Sequence, residues 1–164
     1  MNCILNLLKN TGFRIIGLSF LFSISSCVIS FTGGGIKGSV EIPPVENESN
    51  AYGIEGIITS AIIDAFNEDG RLKPSDRGDY ILKIVANDYK REPSSFETTG
   101  EVKEYRYTLS AHVLLKKSSD TTKVLDRRLQ SVITLTGDRD ETEGIREVSK
   151  KLASEIIRLV LEQW

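Results

Sequence analysis

The chain has 164 residues, 40% of them hydrophobic and 27% charged, a balance that suits one globular domain and excludes a disordered chain. Lys and Arg number 21 against 23 Asp and Glu, so a formal charge of −2 leaves no basic excess for a phosphate backbone, and nucleic acid is not an expected partner. One His, His112, and two Cys, Cys3 and Cys27, are too few for a zinc site or most nucleophilic triads, so no metal or cofactor is expected.

Lys9 and Arg14 are the only charges before Lys37, and both precede the apolar run Ile15 to Ile24. A positive start, a ten-residue apolar stretch and small residues before a cut describe a secretory leader. The run falls well short of the roughly 20 residues a bilayer span needs. Ile24-Ser25-Ser26-Cys27 resembles the bacterial lipobox, so residues 1–26 are read as a lipoprotein signal peptide and Cys27 as the lipidated first residue, carrying acyl chains such as palmitate. Removal of Lys9 and Arg14 leaves 19 basic and 23 acidic residues, a charge of −4. Several acyl chains anchor stably where one is marginal. Val28 is not the Asp that retains many lipoproteins at the inner membrane, which points to the outer membrane with the domain facing the periplasm.

Residues 27–38 read as a lipidated Cys and a glycine-rich tether, and 39–164 as a single α+β domain. The order G-I-K-G-S lacks the P-loop spacing and no helix follows it. Val40 to Ile42 is a short strand stopped by Pro43-Pro44. Asn50 to Asp69 is an amphipathic helix whose stripe runs Ile54, Ile57, Ile58, Ala61, Ile62, Ala65 and Phe66, with Asn50 as N-cap and Gly70 as stop. Tyr80 to Arg91 is a strand apolar on both faces, with Tyr80, Leu82, Ile84 and Ala86 on one and Ile81, Val85 and Tyr89 on the other. Val102 to Leu115 alternates with Tyr105, Tyr107, Leu109, Ala111, Val113 and Leu115 inward, and Val124 to Thr136 groups Leu125, Leu129, Ile133 and Leu135. Hairpin-length loops at Pro93–Gly100 and Ser118–Thr122 make these three strands an antiparallel meander. A second helix runs from Asp140 to Leu161, opened by an Asp140/Glu143 capping box and buried along Ile145, Val148, Leu152, Ile156 and Leu159. The expected architecture is a four-stranded mixed sheet with both amphipathic helices on one face, in the order strand–helix–strand–strand–strand–helix.

Residues with possible chemistry do not converge. His112 falls on the polar parity of its strand with no partner at a suggestive spacing. Asp138, Asp140, Glu141 and Glu143 fit favourable charge at a helix N-terminus and lack the calcium-loop pattern. No pair of carboxylates stands out for acid–base work, so the chain is not expected to be an enzyme. Two features suggest binding instead. Lys90-Arg91 closes the first long strand with two cations suited to phosphate groups. The outward parity of the other strands is low in charge at Thr108, Ser110, His112, Gln130, Val132 and Thr134, as a sheet face covered by a polar partner would be.

The ordered set of segments resembles the LptE family of lipopolysaccharide-assembly lipoproteins. The matching pieces are the lipobox at Cys27, S-F-T-G-G-G at 30–35, V-E-I-P-P-V-E-N at 40–47 and I-T-S-A-I-I-D-A-F-N-E-D-G-R-L at 58–72. Y-K-R-E-P-S-S-F at 89–96, V-K-E-Y-R-Y-T-L at 102–109 and V-L-D-R-R-L at 124–129 complete them. The resemblance implies a lipoprotein that plugs an outer-membrane β-barrel (LptD), assists its assembly and helps deliver lipopolysaccharide to the outer leaflet, with no bond chemistry. It places the lipopolysaccharide-binding patch on Lys90 and Arg91, with Arg106 and Arg127 as further candidates. The alternative reading is a free-standing, periplasm-facing lipoprotein that binds a small ligand or peptide.

Overall fold

The structure, a computed structural model, describes residues 38–120 and 122–162. The expected leader, Cys27 and almost all of the tether lie outside the described residues. In chain order the elements are β1 (Gly38–Glu41), β2 (Glu46–Asn47), α1 (Glu55–Asp69), β3 (Leu72–Pro74), β4 (Tyr80–Phe96), β5 (Val102–Lys117), β6 (Lys123–Thr136) and α2 (Glu141–Glu162).

The fold is α+β, two helices with a mixed open sheet, but the sheet has six strands instead of four. Its order is β3-β1-β4-β5-β6, with β2 also on β4. β1 runs parallel to β3 and β4, β2 runs parallel to β4, and β4 to β6 form the expected antiparallel meander. The two missed strands have two and three residues, too short to display a period, and are defined by backbone pairing: Glu46 opposite Val85, and Gly38 opposite Leu72. Leu72, in a stretch that reads as loop, is 1% exposed and closes the core beside β1.

One face of the sheet carries the core. Leu82, Ile84, Ala86 and Tyr89 of β4 and Tyr107, Leu109, Ala111, Val113 and Leu115 of β5 are buried, along with Ile58, Ile62 and Phe66 of α1 and Val148, Leu152, Ile156 and Val160 of α2. At about 1.5–3 kcal/mol per fully buried aliphatic side chain, this shared layer is what holds both helices on that face. Tyr107 packs flat against Gly144 of α2, where any Cβ would stand 2.1 Å from the ring, so a side chain there would drive helix and strand apart.

Several boundaries differ from the sequence reading. α1 starts at Glu55, because Asn47 ties the preceding turn: its Oδ1 accepts from the Ser49 N–H (3.0 Å) and its Nδ2 donates to the Ala51 carbonyl (2.7 Å). Gly53 at φ 76° bars helix through that turn, so Asn50 is no N-cap. The helix does end at Gly70, left-handed at φ 72°, whose N–H donates to the Phe66 carbonyl at 3.0 Å. β4 runs on five residues past Arg91 and includes Pro93. Beyond Asp88 its outer edge has no strand partner among the described residues, so no ladder bond is lost at the proline. At the start of α2, Asp140 Oδ1 accepts the Glu143 N–H at 2.6 Å, while the Glu143 carboxylate pairs with Arg139, leaving half of the expected capping box.

A further difference, inside β4, decides the site. A register shift between Ala86 and Asp88 makes Asn87 an extra residue, a β-bulge. It reverses the alternation, so that Tyr89 joins Leu82, Ile84 and Ala86 on the core face instead of lying opposite them.

Candidate functional site

Because the bulge turns Tyr89 inward, it turns Arg91 the same way. Arg91 lies opposite Tyr107 on β5, and Tyr107 is wholly buried. The guanidinium stacks over the Tyr105 ring, 3.8 Å from its centroid, and stands 5.9 Å from that of Tyr107. Glu141, the first residue of α2, receives a hydrogen bond from the Tyr89 hydroxyl at 3.1 Å and lies 3.7 Å from Arg91 Nη1. Burial, and then the Glu141 charge beside it, push the Tyr89 phenol well above the ordinary tyrosine range. The Arg91 Nε and the Tyr107 hydroxyl are buried and make no well-formed hydrogen bond among the described residues, but they lie against each other, so neither is an isolated polar group.

A cavity of about 560 Å³ opens over this cluster, lined by Asn50, Ala51, Tyr89, Lys90, Arg91, Glu92 and Glu141. Its charge is mixed. Lys90 points to the opposite face of the sheet and meets Asp88 at 3.2 Å, so the Lys90-Arg91 dipeptide does not present two cations side by side. It also sits within a strand, not at the sheet's end. Arg106 is opposite Glu92 and shares the helix-free face with Lys90, which is opposite Thr108. Arg127 lies far along the sheet on β6, opposite Val113, and takes no part in this cluster. The structure thus places Arg91 in the cavity and Lys90 at its wall with the ammonium turned to Asp88, sets Arg106 behind it and separates Arg127 from it.

The sequence reading missed Tyr89, Tyr105 and Glu141 as members of the site. The Tyr-Arg-Tyr run at 105–107 was a visible signal; the bulge that brings Arg91 to it was not. His112, read as lacking a partner, has one: its Nε2 lies 2.7 Å from Asp126 Oδ1, and Lys123 Nζ holds the other carboxylate oxygen at 2.9 Å. The bonds from His112 and then Lys123 hold the Asp126 carboxyl down at about 2. This is an exposed cluster of cross-strand neighbours on the polar face of the sheet. Asp138 accepts from Thr136, Asp140 caps α2 and Glu141 serves Arg91 and Tyr89, so the acidic run is spent on local structure. No grouping of three His, Cys, Asp or Glu that could hold a metal occurs among the described residues.

Comparison with known proteins supplies the context. Solved structures with the same fold include the protein XCC0632 of Xanthomonas campestris (12% identity, 78% of this chain and 86% of that one, TM-score 0.59). CT253 of Chlamydia trachomatis is also similar (12% identity, 76% and 95%, TM-score 0.56), as is the PelC dodecamer of Paraburkholderia phytofirmans (10% identity, 77% and 90%, TM-score 0.54). At such identities the likeness is one of fold. No curated protein matches the chain. A family model does: the one described as LptE, lipopolysaccharide-assembly, matches residues 38–160, from the first residue of β1 to the last turns of α2. With all six strands, the first helix and all but the last two residues of α2 inside that match, the chain belongs to the LptE lipopolysaccharide-assembly family.

Proposed function

We propose that the protein is the plug subunit of a β-barrel lipopolysaccharide translocon of the LptD type, assisting assembly of the barrel and delivery of lipopolysaccharide to the outer leaflet. In this reading residues 1–26 are removed on export, and acylated Cys27 anchors the chain to the outer membrane. Residues 27–38 tether the 39–164 domain on the periplasmic side. The observation that carries it is the family match across 38–160. A domain with one helix-free sheet face and, among the described residues, no group of three His, Cys, Asp or Glu that could hold a metal suits a role in fitting and binding. Phosphate groups of lipopolysaccharide are received in the Arg91–Lys90 cavity, where stacking on Tyr105 fixes the plane of the guanidinium. Arg106 contributes from the other face at longer range, and Arg127 least of all.

Co-purification of the tagged, lipidated protein tests the role: a stoichiometric large β-barrel is expected, and isolation as a monomer would favour the free-standing ligand-binding lipoprotein instead. For the site, Lys90→Glu with Arg91→Glu is expected to weaken lipopolysaccharide binding at least tenfold at low salt. Because Arg91 also packs on tyrosines, Lys90→Glu alone serves as the variant that spares the core and should give a smaller loss. Arg127→Glu should leave binding unchanged, and binding lost equally in all variants would remove the assignment.

A further inference from the structure

The two edges of the sheet are unlike. One is β3, three residues that end in Pro74, a short and proline-closed edge of the kind that resists pairing. The other is β6, fourteen residues long, paired only with β5 among the described residues. Direction along β6 follows from two bonds. The Gly137 N–H donates to the Lys103 carbonyl at 2.8 Å, so odd positions bond to β5. Lys151 Nζ of α2 donates to the Val132 carbonyl at 2.8 Å from outside the ladder, so even positions point outward. Arg127 Nη1 likewise reaches the Asp126 carbonyl at 3.2 Å. Between these two capped carbonyls, Arg128 and Gln130 present both N–H and C=O outward.

The edge is also a basic strip. β6 carries Lys123, Arg127 and Arg128 against Asp126, whose carboxylate is already engaged by His112 and Lys123. Of α2, Lys151 and Glu155 bond to β6, Glu155 accepting from the Ser131 hydroxyl at 2.5 Å. We propose that the β6 edge is a strand-addition site for an extended acidic segment of a partner protein, which pairs with the backbone of Arg128 and Gln130 and places one carboxylate near Arg127 and another near Lys151. Those cations meet β6 at Asp126 and Val132, six residues or about 20 Å apart along a strand, so the segment carries acids at i and i+6 on its helix-side parity. A second copy of this chain does not fit, because it would bring its own Lys123, Arg127 and Arg128 to a strip of the same sign.

The test uses the peptide acetyl-Glu-Thr-Val-Thr-Val-Thr-Glu-amide, fluorescently labelled, with the purified protein at low salt. Gln130→Pro removes an outward N–H without touching the β5 ladder, and Gln130→Ala controls for loss of the side-chain bond to Ser110 (3.3 Å). Expected are saturable binding to wild type and Gln130→Ala, at least tenfold weaker binding to Gln130→Pro and to Lys151→Glu, and at least tenfold slower amide exchange at Arg128 and Gln130 in the complex. Thermal unfolding of each variant confirms that the domain is intact. Absence of peptide binding, or equal binding to Gln130→Pro, would overturn the proposal and leave the cations as guards of a bare edge. So would a homodimer that Gln130→Pro dissociates, or binding to anionic vesicles that leaves the Arg128 and Gln130 amides unprotected.

Discussion

Arg91 is the residue on which the candidate site turns, and its surroundings pull in two directions. Stacking on Tyr105 at 3.8 Å is worth about 0.5–2 kcal/mol and fixes the plane of the guanidinium, so its remaining donors are aimed before any ligand arrives. Glu141, 3.7 Å from Nη1 and half exposed, lies too far for a tight bidentate pair but close enough to lower the local potential. An incoming phosphate must compete with that carboxylate. Glu141→Gln keeps an acceptor for the Tyr89 hydroxyl while removing the charge. It is therefore expected to strengthen lipopolysaccharide binding severalfold at low salt, with the gain shrinking as salt rises; titration at two ionic strengths checks this. Weaker binding in the variant would mean that Glu141 holds Arg91 in place and does not compete for it.

At the scale of elements, the long segments were legible and the bulge was not. α1, β5 and α2 have enough turns or alternations for their periods to stand out, and the stripes read from Ile58, Ile62 and Phe66 or from Val148, Leu152 and Ile156 are the buried ones. β2 and β3 exist only through their pairing partners, and no local pattern of two or three residues could announce them. Strict alternation set Tyr89 opposite Ala86, and the structure joins them because Asn87 is an extra residue, bonded by its side chain to Glu48 at 3.1 Å. The same misreading hid the Arg91–tyrosine cluster, so a single backbone irregularity accounts for both errors. It also yields an asymmetric prediction. Deleting Asn87 restores regular alternation with Tyr89 and Arg91 still on the core face, whereas deleting Asn87 together with Asp88 swings both toward the bare face. The double deletion is expected to lower the urea midpoint of unfolding far more than the single deletion does. Equal losses would show that the bulge itself, and not the phase it sets, is what the core requires.

Across the whole molecule, the ionisable groups bound the pH range of stability from both sides, and the signs can be worked out. Asp69, Asp79, Asp120, Asp126 and Asp138 are all held below the usual carboxylate range by local hydrogen bonds, Asp126 down to about 2 by His112 and then Lys123. A depressed carboxyl binds fewer protons folded than unfolded, so its contribution is present above about pH 4 and is lost as pH falls toward its folded value. Asp79, Asp120, Asp126 and Asp138 are exposed and Asp69 is half-buried at the surface, so the acid limb should be shallow and weakened by salt. Tyr89 acts at the other end. Burial first, and the Glu141 charge second, raise its phenol, so the folded state holds a proton that the unfolded chain releases near pH 10. Its contribution is therefore complete below about pH 10 and declines as pH rises above it. Unfolding midpoints measured across pH should show a plateau from about 5 to 9, a shallow acid limb that Asp126→Asn reduces further, and an alkaline limb that Tyr89→Phe flattens. The phenylalanine variant should be less stable than wild type on the plateau, through the lost 3.1 Å bond to Glu141, and should converge toward it at high pH. Two parallel alkaline limbs would place the titrating group elsewhere and would contradict a buried, protonated Tyr89 at the base of the Arg91 cluster.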